Sequence, residues 1–323
     1  MIPKYVNDWI TIIEQMQNDN TYKLAWGRAI VECNAKGNCV ELNDNVVIDL
    51  KDIAECMLKY YWNQMFFFNL KQSPYVNKVP KICVYTEDLN NHYREKENTN
   101  IPVWFNVGQS KIVMDKEYTK TINCIKKVLP ENVAWRFMNI QGKPILIYML
   151  DIANGVILLN KEDSISLKEY GNILTKLLNF KWAQLLEKFN YAPRIVEKIN
   201  GISELRIRRN NLTKYRNELI KQYSISPVDF YTGRELTNDN ISIDHVIPWS
   251  FMYSDDIWNL VITSKSNNST KSNSIPSEYS IDRLKKRNIR LVDIVDSPYK
   301  EDLIIANEND YVDKFYSDLK VRI

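Results

Sequence analysis

The chain has 323 residues, of which 45% are hydrophobic and 26% are charged. These proportions are typical of soluble globular proteins and exclude a disordered or fibrous chain. No apolar run reaches the roughly 18 residues of a membrane span, and the N-terminus lacks the pattern of a secretory signal. The 8 glycines are never clustered, which excludes P-loops and glycine-rich dinucleotide loops.

Cysteine and histidine usage narrows the possible chemistry. The 5 cysteines form no C-x-x-C pair, and their odd number argues against a disulfide framework, so we expect a cytoplasmic protein with reduced thiols. Only His92 and His245 could supply an imidazole to catalysis. His92 lies in the polar sequence Asn-Asn-His-Tyr-Arg, which predicts an ordinary histidine on a surface loop.

Residues 1–200 are predicted to form a mixed α/β domain that selects a target or docks a partner. Hydrophobic periodicity predicts helices at Tyr5–Gln17, Thr21–Ala35, Asp52–Phe67, Lys116–Val128 and Ser164–Phe189. Short apolar runs predict strands at Val46–Leu50 and Lys81–Tyr85, and an antiparallel meander at Val133–Phe137, Pro144–Leu150 and Gly155–Leu159. The boundary to residues 201–323 is expected near Pro193 and Gly201, and the chain as a whole is expected to be α+β.

The basic excess is concentrated in one part of the chain. Net charge is +3 overall, but residues 201–290 alone hold 14 basic and 10 acidic side chains. A predicted helix at Ser203–Gln222 places Arg206, Arg209 and Arg216 on one face, and Arg283–Arg290 holds a second cluster. Such clusters favour a polyanion partner. The alternative is that the first face packs against residues 1–200.

The residues that point to chemistry lie between these two clusters. A short strand at Ile241–Ile243 leads into Asp244-His245, and Asn259 and Asn268 follow at intervals of 14 and 9 residues. Carboxylate and amide oxygens are the ligands that Mg²⁺ prefers, and histidine is the side chain best suited to act as a base near neutral pH. Neighbours on a strand point to opposite faces, so Asp244 and His245 need a loop or bulge to share a site.

This segment resembles the motif of HNH (ββα-metal) endonucleases, in the variant whose signature positions read His, Asn and Asn. The Asp-His-x-x-Pro opening at Asp244 and the N-x-x-K-S ending at Asn268 are similar to the HNH domain of RNA-guided CRISPR effectors. The sequence around His245 and Asn259 also resembles that of stand-alone bacterial nucleases of restriction and phage defence. The motif covers about residues 226–275.

The resemblance implies a role for each residue. Asp244 and Asn268 would hold one Mg²⁺ or Mn²⁺ ion, His245 would act as the general base, and Asn259 would fix the backbone. Catalysis would then depend on His245, Asn259 and Asn268, and cleavage would leave 5′-phosphate ends. Contacts to nucleic acid are expected from basic side chains, namely Lys265, Lys271, Arg206, Arg209 and Arg216.

One departure from the family concerns structural zinc. Many HNH domains hold zinc with two C-x-x-C pairs, whereas the corresponding positions here are Asp229, Thr232, Ser264 and Asn267. Zinc needs thiolate or imidazole ligands, so no structural zinc is expected. Packing of aromatic side chains would have to compensate.

The leading hypothesis is therefore a metal-dependent endonuclease that hydrolyses DNA in bacterial restriction or antiviral defence. A second hypothesis is an effector subunit that stays silent until a partner assembles, such as an ATPase, a sensor or a guide complex. A third is an RNase that uses the same site. One HNH site cuts one strand, so cleavage of both strands would require a homodimer.

Overall fold

The structure, a computed structural model, describes residues 2–74, 79–204 and 209–320. The chain separates into two compact units. The first comprises Met1–Thr99, Val103–Asn190 and Ile195–Arg206, and the second comprises Asn100–Pro102, Tyr191–Arg194 and Ile207–Ile323. Among the described residues, no helix is both long enough and apolar enough to span a bilayer.

The first unit is built mainly from helices around an aromatic core. They are α1 (Lys4–Gln15), α2 (Tyr22–Lys36), α3 (Leu50–Trp62), α4 (Lys81–Glu97), α5 (Phe105–Ile112), α6 (Lys116–Leu129), α7 (Trp135–Phe137), α8 (Lys161–Glu187) and α9 (Ile195–Asn200). Trp9, Trp26, Trp62 and Trp182 are fully buried between them. Aromatic side chains bury a large area each, so these four dominate the packing of the unit.

A small antiparallel sheet completes the first unit. Its strands β1 (Val40–Leu42), β2 (Asn45–Asp49), β5 (Met149–Asp151) and β6 (Val156–Asn160) lie in the order β1-β2-β6-β5, and β3 (Asn139–Ile140) pairs separately with β4 (Lys143–Pro144). Val46 and Ile48 of β2 are buried, whereas Asn45, Val47 and Asp49 are partly exposed. This alternation is the pattern of a strand that packs on one face only.

Two predicted strands of the first unit are helical in the structure. Lys81–Tyr85 begins α4, and Val133–Phe137 continues from α6 through a π-helical turn into α7. The buried residues of α4 recur at helical spacing, including Ile82, Leu89 and Tyr93, so burial of a helical face outweighs the strand propensity of the short apolar run. His92 lies on α4 and not in the expected loop, and its Nε2 is 2.8 Å from Asp115 Oδ2.

The second unit carries a strand pair enclosed by helices. It comprises α10 (Thr213–Ile220), β7 (Ile241–His245), α11 (Trp249–Met252), β8 (Leu260–Ser264), α12 (Lys265–Lys271), α13 (Glu278–Leu291), α14 (Tyr299–Glu308) and α15 (Tyr311–Lys320). β7 pairs with β8 in antiparallel register, with Ile243 opposite Ile262. Phe251, Leu260 and Leu284 lie in the core beneath the pair. The predicted α+β class, with a ββα motif near the C-terminus, is confirmed.

The predicted helix at Ser203–Gln222 is wrong over residues 209–212, because α10 begins only at Thr213. Asn211 Oδ1 accepts hydrogen bonds from the Thr213 backbone N–H at 2.8 Å and from the Thr213 hydroxyl at 2.5 Å. Such side-chain bonds compete with helix formation. Arg206 lies outside the described residues.

Candidate active site

The backbone at the end of β7 is fixed by one asparagine. Ile247 N donates to Asn259 Oδ1 at 2.8 Å, and Asn259 Nδ2 donates to Ile247 O at 2.8 Å. Asn259 is only 1% exposed. A buried amide whose donor and acceptor are both satisfied holds the chain in one conformation, so the segment that follows His245 has a defined path.

A cavity of about 560 Å³ opens at the end of β7. It is lined by Asp244, His245, Asn268, Lys265 and Arg209, all of which the sequence predicts as site residues. Both Asp244 and His245 belong to β7, so the expected loop or bulge between them is not needed. They are the last two residues of the strand, and both line the cavity at its end.

The Asp244 carboxylate is buried and has two partners. Its Oδ2 accepts the Tyr231 hydroxyl at 2.5 Å and lies 3.1 Å from Lys271 Nζ. Lys271 Nζ also donates to His245 O at 2.6 Å. Burial lowers the pKa of Lys271, and the charge of Asp244 opposes that shift. Lys271 therefore neutralises Asp244 inside the site, although the sequence predicts it as a surface contact to nucleic acid.

Asn268 faces the same cavity from α12. Its Nδ2 donates to Ser242 Oγ at 2.7 Å and to Ile243 O at 3.1 Å, which leaves Oδ1 as the atom available to a ligand. Asp244 and Asn268 thus offer carboxylate and amide oxygens, which fit a hard cation such as Mg²⁺ that keeps several waters. Within the described residues, no group of three or more His, Cys, Asp or Glu side chains could hold a metal ion.

His245 has a carboxylate partner that the sequence analysis missed. His245 Nε2 lies 3.0 Å from Asp255 Oδ1, and Asn210 Nδ2 donates to Asp255 Oδ2 at 2.8 Å. Burial raises the pKa of Asp255, but the hydrogen bonds from His245 and Asn210 outweigh this effect and lower it. Asp255 lies ten residues after the histidine, and only the folding of the intervening segment brings it to the ring.

The predicted phosphate-binding residues lie in different places. The Arg209 guanidinium stacks on the Trp249 ring at 4.9 Å and lines the cavity, where burial lowers its pKa. Arg216 Nη2 donates to Asn238 O at 2.6 Å and does not line the cavity. Lys265 is exposed at its edge. The structure therefore brings Arg209 and Lys265 to the site, but not Arg216.

The four positions that correspond to zinc-binding cysteines are joined by hydrogen bonds around Asp229. Asp229 Oδ1 accepts from Thr232 N at 2.9 Å, and Oδ2 accepts from Ser264 N at 2.7 Å and Asn267 Nδ2 at 2.8 Å. The Thr263 hydroxyl and the Tyr231 N–H donate to the same carboxylate. Burial raises the pKa of Asp229, but the hydrogen bonds from Thr232, Ser264, Thr263 and Asn267 outweigh this effect and hold the pKa well below the usual range. The charged carboxylate of Asp229 therefore connects the turn at Thr232, the end of β8 and α12.

The part of the second unit that holds this site matches a known family. The family model described as HNH endonuclease matches residues 229–277, the segment that holds β7, β8 and α12. Residues 8–132 match a second family, described as a domain of unknown function.

A particular relative is the CRISPR-associated endonuclease Cas9 of Listeria innocua, which is 32% identical over 101 residues. The match covers 30% of this chain and 7% of that protein, so the chain spans only a small part of the relative. No solved structure matches the chain.

The Asp229 hydrogen bonds should make folding sensitive to acid. Because the folded pKa lies below the unfolded value, Asp229 contributes stability above about pH 4, and that contribution is lost as the pH falls through the folded pKa. We expect Asp229→Asn to lower the free energy of unfolding by about 3 kcal/mol at pH 7. The difference from wild type should shrink below pH 4, as measured by urea unfolding.

The control is Asp293→Asn, which removes an exposed acid from the same unit. The unfolding midpoint of this control should equal that of wild type, within experimental error, at every pH. An Asp229→Asn protein as stable as wild type at pH 7 would show that the hydrogen bonds around this carboxylate do not hold the domain together.

Proposed function

We propose that the protein is a metal-dependent endonuclease that hydrolyses phosphodiester bonds in DNA. The observation that supports this most directly is the convergence of Asp244, His245 and Asn268 on one cavity at the end of β7. Hydrolysis of a phosphodiester needs a base for the attacking water and compensation for the negative charge of the phosphate. His245 would supply the base, and a cation held by Asp244 and Asn268 would supply the charge compensation.

In this proposal His245 is the general base. A carboxylate accepts a hydrogen bond only from a protonated ring nitrogen, so the Asp255 bond keeps hydrogen on Nε2 of the neutral ring. The lone pair then lies on Nδ1, which is the atom that takes the proton from water. Asp255 acts as a positioning residue, because its hydrogen bond fixes both the tautomer and the ring orientation.

Asp244 and Asn268 would hold the cation through one carboxylate and one amide oxygen. A bound Mg²⁺ or Mn²⁺ ion supplies charge compensation for the scissile phosphate. The chain itself adds Arg209 at the cavity wall, where a guanidinium matches phosphate geometry. Lys271 must release Asp244 or share it with the cation, since its Nζ lies 3.1 Å from Asp244 Oδ2.

The proposed biological role is bacterial restriction or antiviral defence, with the first unit selecting the target or docking a partner. It rests on the sequence resemblance to defence nucleases and on the similarity to a CRISPR-associated endonuclease. A second candidate is an effector subunit that is silent until a partner assembles. The pairing of Lys271 and Tyr231 with Asp244 favours it, because both would hold the site in a closed state.

Replacing the base should stop cleavage and leave the fold intact. We expect His245→Ala to lower the single-turnover rate of plasmid cleavage with Mg²⁺ by about 10² to 10⁴, the usual contribution of a positioned acid–base group. His92→Ala is the matched control, because His92 is the other histidine of the chain and lies in the first unit. The proposal fails if the two variants cut equally fast.

If wild type itself does not cut plasmid, the assay is repeated with the products of neighbouring genes. Activity that appears only with one of them supports the silent-effector candidate. The same substrates presented as RNA would reveal an RNase.

Removing the positioning residue should have a smaller effect than removing the base. We expect Asp255→Ala to slow single-turnover cleavage by about 10-fold to 100-fold, less than His245→Ala, since the imidazole remains but its tautomer is no longer fixed. The ¹⁵N chemical shifts of His245 should move from the Nε2–H form toward a mixture. The control is Asp256→Ala, the adjacent acid, whose Oδ2 accepts from Ser254. Unchanged His245 shifts in Asp255→Ala would contradict the assigned role.

A further inference from the structure

A second cavity in the second unit has a wall of cationic side chains. Its volume is about 270 Å³, and four of its lining residues are cationic side chains of α13: Arg283, Lys286, Arg287 and Arg290. Their spacing of i, i+3, i+4 and i+7 puts all four on one side of the helix. The facing wall includes Tyr223 and Phe230. None of these residues lines the cavity at the end of β7.

Arg287 is buried without a negative partner. It is 9% exposed, and its Nη2 donates to Trp258 O at 3.2 Å. Nε and Nη1 are buried and have no hydrogen-bond partner among the described residues. Burial lowers the pKa of Arg287 to about 9. A buried cation is costly unless an anion and hydrogen bonds compensate it. This guanidinium therefore lacks a compensating anion that a ligand could supply.

The surroundings of Arg287 offer no such anion from the chain. Of the residues described around the cavity, Asp229 alone is acidic, and its carboxylate already accepts five hydrogen bonds from other groups. The Arg283 guanidinium lies 5.0 Å from the centre of the Phe230 ring and is held beside the cavity. Lys286 and Arg290 are exposed at the rim. The cavity therefore has a positive wall that is open to solvent.

We propose that this cavity binds a phosphate group, either the phosphodiester of a nucleic-acid strand or a free phosphate ester. Guanidinium groups bind phosphate oxygens in a bidentate manner, and three of them line this cavity: Arg283, Arg287 and Arg290. The volume lies below the roughly 300–1,000 Å³ of pockets for drug-sized ligands, which suits a small anion. The proposal does not require cleavage, so it can fail independently of the nuclease assignment.

The first experiment uses inorganic phosphate as the probe and the full chain as the protein. Phosphate is titrated against chloride at equal ionic strength, and binding is followed by calorimetry and by melting temperature, which rises when a ligand binds the folded state. The double variant Lys286→Gln/Arg290→Gln changes only exposed rim residues and should lose roughly tenfold or more in phosphate affinity. Its control is Lys300→Gln/Lys314→Gln, which removes two exposed charges elsewhere in the same unit.

Arg287→Met tests the buried cation directly. Because it removes an uncompensated charge, it should cost little stability in phosphate-free buffer and should abolish the stabilisation by phosphate. If Arg287→Met gains as much from phosphate as wild type, the proposal is wrong. If that variant does not fold, the rim double variant decides the question.

The source of the phosphate is settled by a second titration with a DNA duplex, in the His245→Ala background so that the strand stays intact. If the ligand is a nucleic-acid strand, the rim double variant should weaken duplex binding and lower the log–log salt slope by about 0.9 for each DNA phosphate that the protein no longer neutralises. If the ligand is a free ester, phosphate affinity falls while duplex affinity matches the control. Rim and control variants that agree for both probes would overturn the proposal.

Discussion

The hydrogen bonds accepted by the Asp229 carboxylate determine the geometry of the HNH domain. Its two oxygens receive N–H and O–H groups from the turn at residues 231–232, the end of β8 and the start of α12. A buried carboxylate is stable only when such donors compensate for its missing hydration, so these elements must meet at one point. Because α12 carries Asn268, these hydrogen bonds also help to position Asn268, which lines the same cavity as Asp244.

The same principle extends to the proposed site residues, each of which is held by a neighbouring side chain. Asn259 fixes the backbone after His245, and Asp255 fixes the imidazole. Lys271 and Tyr231 compensate the charge of Asp244 when no cation is bound. In the proposed nuclease, therefore, little rearrangement is needed at His245, whereas the surroundings of Asp244 must change when a cation binds.

The sequence was sufficient for the parts of the fold that local patterns determine. The strand before Asp244 and most long helices follow from hydrophobic patterns along the chain. Residues 133–137 and 81–85 were mispredicted, because burial in a helical bundle decided their structure and not their strand propensity. Asp255 and the pairing of Lys271 with Asp244 depend on how the loop and α12 fold back onto β7, which spacing along the chain does not reveal. The role of Asp229 was missed because a carboxylate at a cysteine position indicates only that a zinc ligand is absent. It does not reveal that the carboxylate accepts hydrogen bonds from the neighbouring elements.

Diffraction from crystals of the full chain soaked in Mn²⁺, recorded at the manganese absorption edge, tests the central claim most directly. We expect one anomalous peak within bonding distance of the Asp244 carboxylate and Asn268 Oδ1, with Lys271 Nζ displaced from Asp244. The peak should disappear in Asp244→Asn crystals and remain in His92→Ala crystals. A peak at Asp229 and Asn267 instead, or an Asp244–Lys271 ion pair that persists at saturating Mn²⁺, would contradict the assignment of Asp244 and Asn268 as the metal ligands.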